Sequence, residues 1–245
     1  MTHQHFSHEN HHTAAVALER EACGGQRAVT VDSARFARRG FVLVRGFMVL
    51  ISILMLLPLA ARAQTTTNDT AISKAVAWIH TQQQPGGGFG VWRPSGTVPD
   101  AGTTADVIYA LSLAGENVNG PSWTAGGKTP LDALAMLAPS YVGADAGQAG
   151  KVARAVALAG GDPRDFAGMD LVAIIMAAYD PATGRYHPSF LFRHTLAVEG
   201  LLRAGEAVPQ KAIDALTSAQ LPDGGWFWAF GAPSSDVDTT GRVLL

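Results

Sequence analysis

The chain has 245 residues, 47% of them apolar, with a formal net charge of −2 and a single cysteine, Cys23. This length suits one or two domains with a substantial core, and the near-neutral charge gives no electrostatic sign of a nucleic-acid partner. One cysteine excludes an internal disulfide and every multi-cysteine metal site.

Residues 1–40 are rich in histidine and show no sustained apolar period. A histidine-rich tract can bind metal, but the absence of a helical or strand pattern favours a disordered extension or a start codon placed too far upstream. No metal site is therefore predicted here. The histidines of this segment are His3, His5, His8, His11 and His12.

Residues 41–63 have the pattern of a secretory signal peptide. Four arginines lie in residues 35–45, an uncharged apolar run covers 46–61, and Ala61-Arg62-Ala63 places small residues at the positions that a signal peptidase requires. The apolar run is shorter than the roughly 20 residues of a membrane-spanning helix. We predict cleavage after Ala63 and export to the periplasm or the extracellular space. The alternative is an uncleaved anchor, in which only residues 41–61 contact the membrane.

An internal repeat follows the leader. Three apolar segments, residues 105–118, 150–163 and 195–208, each contain an Ala-Gly doublet, and the doublets are spaced by 45 residues. A fourth copy begins at Thr239, close to the last residue, Leu245. A period of this length is typical of helical repeat arrays.

Each copy predicts a hairpin of two helices, because apolar residues recur at helical spacing and a glycine follows each second helix. The sequence thus predicts an all-α domain over residues 64–245, made of about three and a half hairpins of about 45 residues with the last one truncated. The predicted first helices are Ala71–Gln82, Pro130–Leu137, Met169–Ala178 and Pro209–Ala219.

Two inter-helix loops share a motif of glutamine, glycine and an aromatic residue, 137 residues apart. We predict that the glutamine amide bonds the start of the next helix and stacks on the aromatic ring, while the glycines allow close backbone approach. The motif residues are Gln83, Gly87 and Phe89 in the first loop, and Gln220, Gly224 and Trp226 in the last.

This repeat with its motif resembles the prenyltransferase/squalene-oxidase repeat, and the motif looks like the "QW" motif of squalene cyclases. The resemblance covers residues 70–245 and is nearest to small exported bacterial proteins that carry this repeat. Squalene–hopene cyclases and intrinsic-factor-type cobalamin carriers resemble the chain more distantly. It implies an α/α toroid, in which an inner and an outer ring of helices surround a cavity; with so few hairpins, the ring would be incomplete.

An enzymatic hypothesis depends on Asp236 and Asp238. The resemblance to squalene–hopene cyclases implies that Asp238 would protonate an alkene, with Asp236 as its partner, and this requires a protonated carboxyl in a dry pocket. The last aspartate of the cyclase motif is Thr239 in this chain. The structural alternative makes Asp238 or Thr239 the N-cap of a helix that begins near Thr240.

The favoured interpretation is a non-catalytic, exported protein that binds a ligand or a protein partner. A concave array of helices suits an apolar, bulky or corrinoid-like ligand, and no cofactor is predicted. The loop aromatics Trp92, Trp228 and Phe230 are candidates for the ligand-binding surface, with packing between repeats as the alternative. The cyclase activity of Asp238 is the second hypothesis, and an extracellular protein partner is the third.

Overall fold

A computed structural model describes residues 68–93 and 96–245. The predicted histidine-rich extension, residues 1–40, and the predicted signal peptide, residues 41–63, lie outside the described residues. Every regular element among the described residues is helical, so the predicted all-α class is confirmed for them.

Eight α-helices and one short 3₁₀ turn follow one another along the described chain. The described part of the first helix, α1, covers residues 68–82. The others are α2 (Ala101–Leu113), the 3₁₀ turn Pro121–Trp123, α3 (Pro130–Val142), α4 (Ala146–Leu158), α5 (Leu171–Ala177), α6 (Leu191–Arg203), α7 (Gln210–Thr217) and α8 (Val237–Val243).

Helices α2, α4 and α6 have the same length and preserve the 45-residue period of the sequence. Each contains 13 residues, and their first residues are Ala101, Ala146 and Leu191. These helices begin four residues before the apolar segments from which they were predicted. Helices α2 and α4 begin there because an aspartate caps each of them: Asp100 and Asp145 each accept a hydrogen bond from the backbone N–H three residues ahead.

Glycine ends each of these three helices, as predicted. Gly115, Gly160 and Gly205 have φ angles of 84°, 79° and 77°, which L-residues with a side chain rarely adopt. Among the first helices of the hairpins, α5 and α7 begin and end within two residues of their predicted bounds, whereas α3 does not. Helix α3 continues past its predicted end at Leu137, through the exposed Pro139, where water can bond the carbonyl that lacks an N–H partner.

The even-numbered helices pack in sequence order. Helix α4 lies between α2 and α6, and α8 packs on α6; α3 and α5 each contact the two even-numbered helices on either side of them in sequence. The α4–α6 contact is backbone to backbone at Gly150 and Gly200. A Cβ atom at Gly150 would lie 2.1 Å from the carbonyl oxygen of Leu196, and one at Gly200 would lie 2.5 Å from Cα of Gly150.

The core lies between these helices and is built from small and branched aliphatic residues, including Ala149, Val152, Ala197 and Leu201, all of them fully buried. Alanine and glycine at helix contacts let the helix axes approach closely, which suits an alanine-rich sequence. Among the residues that the structure describes, no helix combines the length and the apolar character needed to cross a membrane.

Candidate functional site

A charged cluster occupies one register of the repeat. Tyr109, Arg154 and Glu199 lie 45 residues apart, on α2, α4 and α6, and all three are buried. Because the three helices have the same length and pack side by side, equivalent positions face the same side. The repeat therefore brings a phenol, a guanidinium and a carboxylate together.

Arg154 is the centre of this cluster. Its Nη1 donates to Oε2 of Glu199 at 2.8 Å, and its Nη2 donates to Oδ1 of Asp106 at 2.7 Å. The other oxygen of Asp106 lies 2.6 Å from Nζ of Lys151. The guanidinium carbon lies 4.2 Å from the centre of the Tyr109 ring. Two carboxylates and an aromatic face thus compensate the cost of burying this charge.

Two more arginines extend the cluster, Arg203 of α6 and Arg242 of α8. Nη2 of Arg203 donates to the Tyr109 hydroxyl at 3.3 Å, and Nη1 of Arg242 lies 3.5 Å from Oε2 of Glu199. Burial raises the pKa of Tyr109, the hydrogen bond and charge of Glu199 act in the same direction, and Arg203 opposes them. The phenol is therefore protonated at neutral pH.

An apolar cavity of about 490 Å³ lies between α6, α7 and α8, beside this cluster. Glu199, Arg203 and Arg242 supply its charged groups. The remaining lining residues are aliphatic, threonine or tryptophan: Thr195, Val198, Leu202, Ile213, Leu216, Thr217, Trp226, Val243, Leu244 and Leu245. Apolar walls with a few convergent polar groups are typical of small-molecule sites.

The first glutamine motif holds two connections of the array together. Nε2 of Gln83 donates to the carbonyl of Gly87 at 3.0 Å and to that of Trp123 at 2.8 Å. The sequence predicted that the glutamine would bond the start of the next helix. Its partner Trp123 lies instead in the turn before α3. Gly87 has a φ angle of 87°, and a Cβ there would lie 2.4 Å from the carbonyl oxygen of Thr129.

The last motif repeats this arrangement within its own loop. Nε2 of Gln220 donates to the carbonyl of Gly224 at 2.8 Å. Trp226 is buried, and its indole N–H donates to the carbonyl of Leu216 at 2.8 Å.

The aromatic residue of each motif fastens its loop to the next helix. The backbone N–H of Phe89 donates to Oγ1 of Thr104 at 3.0 Å, and the same hydroxyl donates back to the Phe89 carbonyl at 3.0 Å. Trp226 makes the same pair of bonds with Thr240.

A third connection between a loop and a helix joins Tyr186 to His194, which stands two periods of 45 residues after Thr104. The backbone N–H of Tyr186 donates to Nδ1 of His194 at 3.1 Å, and Nε2 of His194 lies 3.0 Å from the carbonyl of Ala212. With Nδ1 accepting, Nε2 must carry the proton and donate it to Ala212. Burial lowers the pKa of His194 to about 4, so the ring is neutral at pH 7.

The two aspartates of the cyclase hypothesis lie at the start of α8. Asp236 is the N-cap: its Oδ1 accepts from the N–H of Thr239 at 2.7 Å, and its Oδ2 accepts from the N–H of Trp228 at 3.0 Å. The N-cap is thus Asp236 and not Asp238 or Thr239, and the helix begins at Val237 and not near Thr240. Asp238 is exposed in the first turn, away from the dry surroundings that an alkene-protonating acid requires.

The three predicted loop aromatics do not come together. Trp92 is 77% exposed, and Trp228 is about half exposed, with its ring 5.3 Å from that of Phe190. Phe230 is partly buried beneath the guanidinium of Arg185, which lies 3.8 Å from its ring centre. None of the three lines the cavity between α6, α7 and α8, whereas Trp226 does.

The charged cluster was not predicted, although the sequence carries a signal for it. An arginine and a glutamate stand 45 residues apart, inside otherwise apolar helical segments, at the position that Tyr109 holds in the first copy. Comparing the copies position by position for charge would have found Arg154 and Glu199. Within the described residues, no group of three or more histidine, cysteine, aspartate or glutamate side chains is placed to hold a metal ion.

No protein-family model matches this chain, and no curated protein matches it. The chemistry of the cavity and of the charged cluster is therefore the basis for assigning a function.

Proposed function

We propose that this chain is an exported, non-catalytic binding protein that holds an apolar ligand in the cavity between α6, α7 and α8. The observation that carries this proposal is the cavity itself, with about 490 Å³ of space and largely apolar walls. A pocket of this size and lining buries most of a small apolar molecule.

We also propose that the helices are arranged as part of an α/α toroid, with α2, α4, α6 and α8 on the inner side. The hydrogen bond from Arg203 to Tyr109 supports this, because it links the first and third of these helices across 94 residues. Side chains from alternate helices of a row meet in this way when the row is curved. The 45-residue period and the resemblance to the prenyltransferase/squalene-oxidase repeat support the same arrangement.

Binding is favoured over cyclase chemistry by the positions of the two aspartates. Asp236 uses both carboxylate oxygens to accept backbone N–H groups, so its side chain caps α8 and holds the loop at Trp228. Asp238 is open to solvent. Neither carboxyl lines the cavity, so neither aspartate can donate a proton to a ligand bound there.

The proposed export depends on residues 41–63, and N-terminal sequencing of the mature protein tests it. An N-terminus at Gln64 in the secreted or periplasmic fraction supports a cleaved signal peptide. An intact leader in the membrane fraction identifies an anchor, and an intact leader in the cytoplasm overturns export.

Titration of the full chain with N-phenyl-1-naphthylamine, a neutral apolar fluorescent probe, tests ligand binding. The Thr217→Trp variant fills the cavity from its exposed edge. Ser140→Trp is a matched control, since both residues are exposed helical hydroxyls bonded to backbone carbonyls of the preceding turn, and Ser140 lies outside the cavity.

We expect saturable binding that weakens at least tenfold in Thr217→Trp and is unchanged in Ser140→Trp. The same affinity in both variants, or no saturable binding, overturns the proposal. Saturable binding of hydroxocobalamin in place of the probe would identify a corrinoid ligand instead. A partner that co-purifies while no small molecule binds would identify a protein-binding function.

A further inference from the structure

We infer that the ligand of the cavity is an amphipathic anion, whose aliphatic chain fills the apolar part and whose oxyanion head group is bound by Arg203 and Arg242. This inference rests on the proposed binding function and adds the chemical class of the ligand. It depends on the charges that line the cavity and on how they are already paired.

Arg203 departs from the repeat. The equivalent positions in α2 and α4 are Leu113 and Leu158, so two copies have leucine where the third has arginine. Leu158 packs against the core, Leu113 is 55% exposed, and Arg203 is exposed and lines the cavity. The cation at this position is therefore specific to the third copy of the repeat.

Arg203 is also short of a partner. Its one hydrogen bond goes to the neutral hydroxyl of Tyr109, and among the described residues no ion pair joins it to a carboxylate. A guanidinium presents five donors, and one long bond to a phenol leaves most of them for another acceptor.

Arg242 is only weakly paired. Its Nη1 lies 3.5 Å from Oε2 of Glu199, which already accepts the 2.8 Å bond from Arg154, and its Nε is buried without a hydrogen-bond partner. Arg154 is bonded to both Glu199 and Asp106, although its Nε is also buried without a hydrogen-bond partner. The charged wall of the cavity therefore has two guanidiniums and one carboxylate, Glu199, whose Oε2 is bonded to Arg154 and whose Oε1 is buried without a hydrogen-bond partner.

An oxyanion complements this excess of positive charge. Guanidiniums bind carboxylates and phosphates through charge-assisted hydrogen bonds, and these are stronger beside apolar walls than in water. A head group near Arg203 and Arg242 places an attached aliphatic chain against Leu202, Ile213 and Leu216.

A packed helix is a less favourable occupant. On α4, the positions equivalent to Val198, Glu199 and Leu202 are Ala153, Arg154 and Ala157, and α6 packs against that helix. A further helix packed on α6 in the same way would meet Arg203 where α4 presents Leu158, and would need its own carboxylate there.

Competition with N-phenyl-1-naphthylamine distinguishes the contribution of the charged head group from that of the aliphatic tail. The competitors are dodecanoate, dodecanol and inorganic phosphate, each used below the concentration at which it aggregates. The variants are Arg203→Gln and Arg242→Gln in the full chain, with Arg93→Gln as the control, since Arg93 is an exposed loop arginine outside the cavity. Arg242→Lys replaces Arg242→Gln if the latter does not fold.

We expect dodecanoate to bind at least tenfold more tightly than dodecanol and to lose affinity as salt is added. Arg203→Gln and Arg242→Gln should each weaken dodecanoate at least fivefold without changing dodecanol, Arg242→Lys should weaken it less because the charge is kept, and Arg93→Gln should change neither. Phosphate alone should not displace the probe.

Equal affinities for dodecanoate and dodecanol, or unchanged dodecanoate binding in Arg203→Gln, would overturn the inference and leave the proposed apolar binding intact. Displacement by phosphate alone would identify a simple anion site and overturn it too. If an acidic amphipathic peptide displaces the probe and dodecanoate does not, the inference is wrong and the occupant of the cavity is a protein helix. If the probe itself does not bind, the proposed function fails together with the inference.

Discussion

In three of the four copies, one position of the repeat holds a polar side chain that bonds the preceding loop to its helix; the second copy has Ala149 there. Thr104, His194 and Thr240 occupy it, and each bonds the backbone of a buried aromatic residue. A hydroxyl can donate and accept at one atom, whereas an imidazole needs two nitrogens for the same purpose. His194 uses both, and its neutral tautomer is therefore part of the fold.

We predict that protonation of His194 destabilises the protein. Its pKa is about 4 in the folded chain against 6.5 ordinarily, so its contribution is complete above pH 6.5 and is lost as the pH falls towards 4. The free energy of unfolding should decrease by about 3 kcal/mol over this interval, since each pKa unit corresponds to about 1.4 kcal/mol. Urea unfolding between pH 4 and pH 7.5 measures it.

The matched variant is His194→Asn, which keeps an acceptor near the position of Nδ1 and does not titrate. Carboxylates with lowered pKa, such as Asp132, Asp180 and Asp223, contribute equally to both proteins. The difference in unfolding free energy between wild type and variant should therefore shrink as the pH falls. The same difference at pH 7.5 and pH 4 would contradict the assignment.

At the scale of helices, the α4–α6 contact depends on the absence of two side chains. Gly150 and Gly200 face each other so closely that a Cβ on either would lie within 3 Å of the other helix's backbone. Backbone atoms cannot move aside as the end of a side chain can. The separation of α4 and α6, and with it the position of the Arg154–Glu199 pair, is set here.

We predict that Gly150→Ala lowers the free energy of unfolding by about 1–3 kcal/mol, the usual cost of overpacking. Gly241→Ala is the control: Gly241 lies within α8, and a Cβ there meets nothing within 4 Å. Alanine is the better helix former by about 1 kcal/mol, so this variant should be neutral or more stable. Chemical unfolding of both variants measures the difference, and equal destabilisation would argue against the close contact.

At the scale of the whole molecule, contacts between successive hairpins hold the array together. Gln83 bonds two carbonyls, one of them Trp123 in the connection to the second hairpin, while Gln220 bonds only Gly224 in its own loop. Gln83 is partly buried and Gln220 is exposed. The same motif therefore couples repeats in one place and shapes a single loop in the other.

We predict that Gln83→Leu destabilises the protein by about 2 kcal/mol, because two carbonyls lose their donor in a partly buried site. Gln220→Leu should cost less than about 1 kcal/mol, as expected for one exposed bond. Thermal unfolding compares the two. A larger effect at Gln220 than at Gln83 would show that the bridge to Trp123 carries little energy.

Sequence reasoning reached the helical class, the 45-residue period and the glycine caps. It placed the ends of helices less well: α3 was predicted to end at Leu137, but it continues through the exposed Pro139 to Val142. It also named Asp238 or Thr239 as a cap where Asp236 caps. Asp236, Asp238 and Thr239 all have side chains that can cap a helix, and the local sequence does not show which of them bonds the free N–H groups.

The amino-acid sequence alone is enough to predict an all-α repeat, because helical periodicity and a glycine with positive φ at a helix end each depend on a few consecutive residues. The charged cluster and the cavity need the packed structure. Tyr109, Arg154 and Glu199 meet because equal helices stack in register, and Arg203 faces Tyr109 although 94 residues separate them. Such contacts depend on how close α4 and α6 approach at Gly150, which is a property of two helices together and of neither segment by itself.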